Sequence, residues 1–401
     1  MAFARTGPIR QELTAALPER PFSIEFWDGS RVNPTDDGGP TFLFRSPRAV
    51  AQALRAPGQL GLGRAFVSGD LEVDDIDKVI VLLDSWKPPP LKRRARLRLL
   101  FAAFVACGMT LPPSPPQAEL RPRGARRSKA RDARSVRHHY DLPPEFFALF
   151  LDQSMTYSCA IFSRGADSLE TAQREKLDLV CDKLALAPGE RVLDVGCGWG
   201  SFAVHAATRN GVEVVGITLS EPQARVARQR IAAAGLGDRV EVRVMDYRDL
   251  AGERFDAIAS IGMVEHVGAE RIDAYAQRLA ALLPPGGRLL NHGFARLRHP
   301  DPEAGPFSER YVFPDADPLH LSRVLLALER SGFVTAHVES FADDYAATLR
   351  HWAKRLDEHR DEAARLAGEE RLRVWRLYLR AARNGFETGF TSIYQVLARK
   401  P

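Results

Sequence analysis

The stretch 191–202, RVLDVGCGWGSF, constrains the fold more than any other part of the chain. Apolar residues of strand character surround Asp194, lead directly into three alternating glycines, and are followed by a helical pattern from Ser201. A strand that ends in a glycine-rich turn and opens a helix lets the backbone approach a nucleotide-like ligand, which then meets unpaired helix N–H groups. A tight strand-to-helix turn without any ligand has the same pattern, so the rest of the chain must decide.

Downstream of this turn the sequence alternates between helical and strand patterns, which is typical of a doubly wound α/β sheet. The predicted helices lie at 201–209, 221–234, 269–283 and 318–331. The predicted strands are VEVVGITL, VEVRVMD, FDAIASIG, RLLNHGF, FVTAHVESF and SIYQVLAR. A helical excursion from about 343 to 384 interrupts the alternation, and its apolar positions favour a lid or wall over a helix that binds a partner.

We expect three parts along the chain: an accessory or lipid-docking α+β domain at 1–85, a basic proline-rich linker at 86–136, and a catalytic domain at 137–401. In the first part, alternation in PFSIEFWDGSRV and TFLFRSP predicts short strands, RAVAQALRAP predicts a helix, and GQLGLGRAFVSGDLEV predicts a turn-rich segment. A purely structural appendage is an equally open interpretation of this domain.

Charge is distributed unevenly, although the net charge is only +5. Residues 87–137 contain 14 Lys and Arg but two acidic residues, so the remainder of the chain has a net charge of −7. Within this basic part, KRRARLRLLFAAFVA has a cationic front and an apolar back, which predicts an amphipathic segment on an anionic membrane surface. We expect Leu99, Leu100, Phe101, Phe104 and Val105 to enter the acyl boundary. The alternative is an ordinary helix packed on the first domain, and RPRGARRSKARDARSVR is expected to continue as a loop. The segment lacks the interleaved aromatic residues that would indicate nucleic-acid binding.

The N-terminus lacks the apolar core of a signal peptide, and no run of about 18 apolar residues predicts a membrane span. We therefore expect a cytoplasmic protein that is peripheral on the inner face of the membrane. Four cysteines without CxxC spacing predict reduced thiols and no metal site.

The glycine spacing separates two kinds of nucleotide-like ligand. Dinucleotide sites favour GxGxxG with an acidic residue about 20 positions on, whereas here the glycines follow GxGxG and the second strand ends GITLSEPQ without an acid. The pattern resembles motif I of the Rossmann-like class I S-adenosylmethionine methyltransferases. That resemblance implies cofactor contacts from Tyr157, Ser158, Asp194, Gly196, Gly198, Gly200, Thr218, Leu219, Gln223, Asp246 and Tyr247.

Motifs outside the cofactor core indicate the acceptor. HYD with FF, YSCA, GITLSEPQ, GMVEHVG, ERYVFP, ADDYAATLRHW and YQV occur in one order. Together they resemble the cyclopropane-fatty-acyl-phospholipid synthase family over about 136–401 and, more loosely, in the first domain. The resemblance implies methyl transfer to the cis double bond of an unsaturated phospholipid acyl chain in a dry site, followed by deprotonation of the resulting carbocation. The phenylalanines at 146, 147, 150 and 162 are expected to form the walls.

In that family the base is a bound bicarbonate. The residues that match its ligands are Cys159, Glu265, His292 and Tyr345, with the backbone amide of Phe294. His139 and Tyr140 are expected to close the site near the cofactor.

The chain departs from the family pattern after the fifth strand, where His292-Gly293-Phe294, preceded by Asn291, stands in place of the usual HTI. This variant, with RVWRLYLRAARNGF, resembles the actinobacterial branch that makes tuberculostearic acid through an exomethylene chain, which a separate reductase saturates. A cyclopropane and an exomethylene product both stay open. Two other functions also stay open: a small-molecule methyltransferase of the same fold, and an inactive membrane-associated scaffold. A separate domain on a basic tether would suit a homodimer.

Overall fold

The computed structural model describes residues 5–108, 113–120, 128–140, 142–296, 306–313 and 317–401. The chain forms two compact units. Unit 1 comprises Met1–Arg121, Gly305–Val312 and Ala367–Asn384, and unit 2 comprises Pro122–Ala304, Phe313–Leu366 and Gly385–Pro401. These units differ from the expected boundaries at 85 and 136, because the expected linker contributes to both and two later segments return to unit 1.

Unit 1 begins with a small α+β arrangement. Its helices and strands are α1 (Gly7–Ala16), β1 (Ser23–Glu25), β2 (Arg31–Val32), β3 (Thr41–Phe44), α2 (Pro47–Arg55), α3 (Gln59–Val67), β4 (Leu71–Val73), α4 (Ile76–Ser85) and α5 (Arg93–Ala106). The strands pair in the order β2-β1-β3-β4, with only β1 and β3 parallel. The strands predicted in PFSIEFWDGSRV and TFLFRSP are present as β1, β2 and β3, and the helix predicted in RAVAQALRAP is present as α2.

The glycine-rich segment after α2 is a helix, so the expectation of a turn-rich stretch there was wrong. A Cβ added at Gly61 would lie 2.3 Å from the carbonyl oxygen of Ala56, and one at Gly63 would lie 2.4 Å from the ring of Phe307. These glycines therefore serve close packing of α3 against its neighbours within unit 1, and do not mark turns.

Helix α5 packs on unit 1 through small residues. Ala102, Ala103 and Ala106 are buried in the same core cluster as residues of α1 and α2. The opposite face exposes Leu97, Leu100, Phe101 and Phe104, with Phe101 68% exposed. Leu99 and Val105, which were expected to be exposed with them, are half-buried. The helix is thus part of unit 1 and still presents a cationic and apolar outer surface.

Unit 2 is built around a seven-stranded sheet. Continuing in chain order, the elements are α6 (Lys129–Tyr140), α7 (Pro144–Ala148), α8 (Leu169–Lys183), β5 (Arg191–Val195), α9 (Ser201–Asn210), β6 (Glu213–Thr218), α10 (Glu221–Ala233), β7 (Val240–Val244), a 3₁₀ turn (Tyr247–Asp249), β8 (Ala257–Ile261), α11 (Val264–Val267), α12 (Ile272–Leu282), β9 (Arg288–Arg296), α13 (Pro306–Tyr311), α14 (Leu321–Arg330), β10 (Val334–Ser340), α15 (Ala342–Glu358), α16 (Arg360–Ala367), α17 (Glu369–Glu387) and β11 (Thr391–Arg399). The helix α13 and most of α17 belong to unit 1.

The sheet has the order β10-β11-β9-β8-β5-β6-β7, and β11 alone runs antiparallel to the other six strands. Strand β5 lies inside the sheet between β8 and β6, and almost every one of its residues is buried, as expected for a strand covered by helices on both faces. The α/β prediction and all six strands predicted downstream of the glycine turn are confirmed. The carboxyl ends of the parallel strands meet at one edge of the sheet, which is where such folds bind ligands.

Two predictions for this part of the chain, a basic loop and a helical excursion, differ from the structure. The segment 129–140 is helix α6, not a loop; alanine and arginine favour helix there, and Asp132 lies in its first turn. Residues 121–127 of the same expected loop lie outside the described part. The excursion at 343–384 is three helices, and its last one belongs mainly to unit 1, so α15 is the helix of the excursion that lies wholly in unit 2 and can form a wall there.

Candidate active site

The glycine turn at the end of β5 has the left-handed backbone that only glycine adopts easily. The φ angles are +81° at Gly196, +54° at Gly198 and +81° at Gly200. A Cβ at Gly196 would lie 2.9 Å from Met263 Cγ, whereas a Cβ at Gly198 would meet no atom within 4 Å. The turn therefore packs tightly at its first glycine and is open at its second, which leaves room for a ligand against the backbone.

Asp194 lies on β5 just before this turn and is buried. Its Oδ2 atom has no hydrogen-bond partner among the described residues, and burial raises the pKa of the carboxyl group to about 7. A buried carboxylate oxygen without a donor is costly unless a ligand supplies one. Asp194 therefore fits a ligand that brings hydrogen-bond donors or positive charge, as the amino-acid part of S-adenosylmethionine does.

The next strand ends with an ordered group of polar side chains. Thr218 donates a hydrogen bond to Gln223 Oε1 over 2.9 Å. The Ser220 side chain caps α10 by accepting from the backbone N–H of Gln223. Leu219 between them is half-buried. These residues lie beside the glycine turn because β6 is the parallel neighbour of β5.

After β7, Asp246 has a partner that the sequence did not reveal. The Arg248 guanidinium donates to both Asp246 oxygens, at 2.8 and 2.5 Å, and lies 3.0 Å from Asp132 of α6. Although burial opposes it, hydrogen bonding to Arg248 lowers the pKa of Asp246. Tyr247 is edge-on to Tyr275, with ring centroids 5.4 Å apart. Asp246 is thus a fixed, ionised acceptor with lone pairs left for an adenine amine.

We define the Cys159 segment as residues 156–163, which carries Tyr157, Ser158 and Cys159. Helix α15 holds one end of it: Asp344 accepts from the amides of Phe162 and Ser163 at 2.6 and 2.7 Å. Thr348 accepts from the Ala160 amide at 3.0 Å. Burial raises the pKa of the Cys159 thiol well above its usual range, so this sulfur is a neutral thiol.

Helix α8 holds the other side of the Cys159 segment, and the two residues responsible were missed by sequence reasoning. Gln173 Nε2 donates to the carbonyl oxygens of Thr156 and Ser158, at 3.1 and 2.9 Å. Lys176 Nζ donates to Ser158 Oγ at 3.0 Å and is fully buried, which lowers its pKa to about 8. Their signal was polar residues at i and i+3 among the apolar positions of α8, where a core-facing helix would place hydrophobic side chains.

Aromatic rings surround the Cys159 segment. Tyr157 stacks on Trp352 with centroids 5.1 Å apart, and its hydroxyl lies 3.2 Å from His139 Nε2. Further rings in contact belong to Tyr140, Phe146, Phe147, Phe150, Trp199, Phe294, Phe313, Tyr345 and Phe386. Phe162 instead stacks on His351 at 5.1 Å. The expected aromatic wall is present, with α15 supplying Tyr345 and Trp352.

Glu265 lies in α11, immediately after β8. Its carboxylate accepts from the backbone amide of Phe294, and burial raises its pKa to about 7. The second oxygen, Oε2, has no partner among the described residues. A Cβ at Gly293 would lie 3.0 Å from this oxygen, so glycine at that position lets β9 approach the carboxylate. The NHG departure thus has a local structural consequence at Glu265.

His292 lies on β9 and is fully buried. Burial, together with the nearby cations Lys176 and Lys183, lowers its pKa to about 3, so the ring is neutral. Its Nδ1 lies 3.2 Å from Gln395 Nε2, while Nε2 has no partner among the described residues. The ring is nearly parallel to that of Phe341, whose carbonyl oxygen lies 3.8 Å from Cys159 Sγ.

Contacts link the five residues expected at the acceptor end into two groups. Cys159 and His292 both contact Phe341, whereas Glu265 contacts the backbone of Phe294, whose ring lies 5.3 Å from that of Tyr345. These contacts bring the expected residues to the carboxyl ends of β8 and β9. Over the described ranges, no group of acidic, histidine or cysteine side chains is arranged to hold a metal ion. In the same ranges no helix is both long and apolar enough to cross a bilayer.

Comparison with known proteins agrees with this geometry. The family model described as mycolic acid cyclopropane synthetase matches residues 127–396. A probable fatty acid methyltransferase of Mycobacterium tuberculosis is 39% identical, over 97% of this chain and 93% of the relative. The tuberculostearic acid methyltransferase of that organism is 31% identical, over 98% and 91%.

Two further comparisons concern cyclopropane formation. The cyclopropane-fatty-acyl-phospholipid synthase of Escherichia coli K12 is 34% identical, over 85% of this chain and 83% of the relative. The crystal structure of a mycolic acid cyclopropane synthase complexed with SAH and CTAB has 34% identity and a TM-score of 0.63, and it covers 67% of this chain and 98% of that one.

Proposed function

Because the chain belongs to the mycolic acid cyclopropane synthetase family, and is thus an S-adenosylmethionine-dependent methyltransferase that modifies lipid acyl chains, we propose that its acceptor is the cis double bond of an unsaturated phospholipid acyl chain. One observation carries this proposal. At the acceptor end, Glu265 and His292 each have a buried polar atom with no partner in the described part of the chain, and these atoms lie beside a wall of aromatic rings. An apolar substrate that passes through a charged state needs both features.

The aromatic wall explains how a weak nucleophile is used. An isolated double bond attacks a methyl group only when it is held close and in line, so most of the acceleration must come from positioning. Bound S-adenosylmethionine supplies the electrophilic methyl group. The rings of Tyr157, Tyr345 and Trp352 would exclude water and offer π faces that stabilise a cation on the acyl chain.

The buried polar atoms of Glu265 and His292 explain how the carbocation on the acyl chain is deprotonated. We propose that they hold a bicarbonate ion, and bound bicarbonate supplies the base that removes one proton from the acyl chain. Glu265, with its pKa raised to about 7, can donate or accept at neutral pH. The Phe294 amide, the Cys159 thiol and the Tyr345 hydroxyl complete the proposed ligands. The neutral His292 ring is a poor base and is better suited to hold the anion.

The position of the base relative to the cation decides the product. Loss of a proton from the transferred methyl group while the cation lies on the neighbouring carbon closes a cyclopropane ring. If a hydride first shifts from the methyl-bearing carbon to that neighbouring cation, loss of a methyl proton from the resulting tertiary cation gives an exomethylene group, which a separate reductase saturates. Relatives named for either product are about equally similar to this chain. Both products are therefore included in the proposal.

Mass spectrometry of phospholipids from cells expressing the chain tests the proposal. We expect oleoyl chains to gain one CH₂; with a partner reductase present, a cyclopropane stays unchanged and an exomethylene gains two hydrogens. No mass gain, with methylation of a small amine or phenol instead, would favour a small-molecule methyltransferase of the same fold. Failure to bind S-adenosylmethionine in calorimetry would favour an inactive scaffold.

We also propose that α5 brings the enzyme to the inner, anionic face of the membrane. Its outer face combines exposed Arg93, Arg94 and Arg96 with exposed Leu97 and Phe101, a pattern suited to anionic headgroups and acyl chains. Replacing Phe101 and Phe104 by Ser should weaken sedimentation with phosphatidylglycerol vesicles at least tenfold. Burial of each exposed ring in the membrane would contribute about 1.5–3 kcal/mol to binding. The matched control is Val334→Ser, an exposed apolar position of unit 2. Equal loss in both variants would contradict the proposal.

A homodimer is proposed as the working state at the membrane. Sedimentation equilibrium of the full chain would give twice the 44.5 kDa monomer mass if this is correct.

A further inference from the structure

Three residues lie in a row across three adjacent strands of unit 2. Glu339 of β10 is directly opposite Gln395 of β11, and Gln395 is directly opposite His292 of β9. Residues paired in this way share one face of the sheet, so their side chains can contact in sequence. Lys183, the last residue of α8, reaches the same row: its Nζ lies 2.5 Å from Glu339 and 2.8 Å from Gln395 Oε1.

The chemistry of each group fixes the direction of these hydrogen bonds. An ammonium group has donors and no acceptor, so the Gln395 atom facing Lys183 must be the amide oxygen. The amide nitrogen of Gln395 then faces His292 Nδ1 at 3.2 Å. An amide NH₂ also only donates, so Nδ1 must be the acceptor, and the ring proton of a neutral imidazole must reside on Nε2.

We propose that Gln395, oriented by Lys183, fixes His292 as the neutral tautomer that carries its proton on Nε2, and that the site therefore presents an N–H donor to an oxyanion. Gln395 and Lys183 are positioning residues: each acts through His292, and Gln395 is fully buried. The inference rests on the proposed anion site, and it deepens that proposal by excluding His292 as the group that removes the proton.

The ion pair at the outer end explains why the direction cannot easily reverse. Glu339 is 30% exposed and Lys183 is 11% exposed, so the pair closes the row toward solvent. Glu339 holds the ammonium in place, and the ammonium holds the Gln395 oxygen. A flipped Gln395 would place its NH₂ against the Lys183 ammonium and leave its oxygen facing Nδ1, which would then have to carry the proton. The tautomer of His292 is therefore coupled to an ion pair at the far end of the row.

The direct test is nitrogen NMR of the full-length protein labelled with [¹⁵N]histidine. The chain has ten histidines, and the His292 signals are assigned as those lost in His292→Gln. We expect a pyridine-like Nδ1 and a pyrrole-like Nε2 in the wild type. Gln395→Glu, which places a carboxylate beside Nδ1, should reverse the two. A pyrrole-like Nδ1 in the wild type, or unchanged shifts in Gln395→Glu, would overturn the proposal.

Turnover supplies a second readout. We expect Gln395→Glu to lower turnover on oleoyl-phospholipid vesicles at least a hundredfold, because the proposed oxyanion loses the His292 Nε2–H donor. The Kd for S-adenosylmethionine should change less than twofold, since this donor does not bind the cofactor. Gln277→Glu on the exposed face of α12 is the matched control. If Gln395→Glu does not fold, Lys183→Met replaces it: we expect mixed tautomers, about tenfold lower turnover, and recovery in Lys183→Arg. Unchanged tautomer and turnover in Lys183→Met would refute the orienting role.

The outcomes also separate this inference from the bicarbonate proposal. If the Nε2–H tautomer is observed but turnover does not depend on added bicarbonate, the bicarbonate role fails and the tautomer assignment stands. If turnover depends on bicarbonate but the wild type carries its proton on Nδ1, the assignment fails alone.

Discussion

The two ends of the site in unit 2 hold buried polar side chains in different ways. At the carboxyl ends of β6 and β7, Thr218, Gln223 and Asp246 have partners within the chain. At the ends of β8 and β9, Glu265 Oε2 and His292 Nε2 have none among the described residues. A buried polar atom without a partner destabilises the fold, whereas a satisfied network makes it rigid. The cofactor end is thus preorganised by the chain except at Asp194 Oδ2, which has no partner among the described residues, whereas the acceptor end depends on ligands at both of its buried polar side chains.

The sharpest way to break this comparison is Glu265→Gln. The amide cannot provide a negative charge or exchange a proton, so we expect turnover to fall about a thousandfold. Because Glu265 lies at the acceptor end, the Kd for S-adenosylmethionine should change little. Calorimetry and phospholipid mass spectrometry measure the two quantities, with Glu270→Gln at an exposed position as control. Persistent turnover would remove Glu265 from the proposed base-holding group.

In the apo protein, the unfavourable burial of the Glu265 carboxylate should make the free energy of unfolding depend on pH. Burial raises its pKa from 4.5 to about 7, so between these values the folded state binds more protons than the unfolded state and stability falls as pH rises. Glu265→Gln removes this dependence. We expect the variant to match the wild type near pH 4 and to exceed it at pH 8 by roughly 3 kcal/mol. Asp194 has the same sign but is present in both proteins and cancels.

Urea denaturation at several pH values, without cofactor or bicarbonate, measures this difference. A difference between the two proteins that is constant with pH would show that Glu265 is not held in a desolvated environment.

The order of strands and helices in unit 2 was predictable because its helices bury periodic apolar faces, whereas a strand covered on both faces, such as β5, is a short and nearly continuous apolar run. The error at α3 has a physical origin: its glycines read as turns, but they serve helix contacts made by distant residues such as Phe307. The same limit applies to the site. Cys159 and Glu265 were found through motifs, whereas Lys176 and Gln395 acquire their roles from packing and cross-strand register. Local periodicity does not encode either.

At the cofactor end, Asp194→Asn tests the one carboxylate oxygen there that has no partner among the described residues. A hydrogen bond to a charged group contributes about 1.5–3 kcal/mol, so we expect the Kd for S-adenosylmethionine to rise about thirtyfold. Turnover at saturating cofactor should fall far less. Asp238→Asn, which is exposed, is the control. An unchanged Kd would place the cofactor away from the end of β5.

Lys176→Met gives the smallest expected effect and tests whether the boundary between the two ends is drawn correctly. Lys176 donates to Ser158 at the cofactor end, yet its charge also lowers the pKa of His292 at the acceptor end. Losing one hydrogen bond should raise the Kd for S-adenosylmethionine about fivefold. Lys354→Met, exposed on α15, is the control. If turnover at saturating cofactor falls while the Kd is unchanged, Lys176 acts on the acceptor end, and the two ends share a cation that couples them.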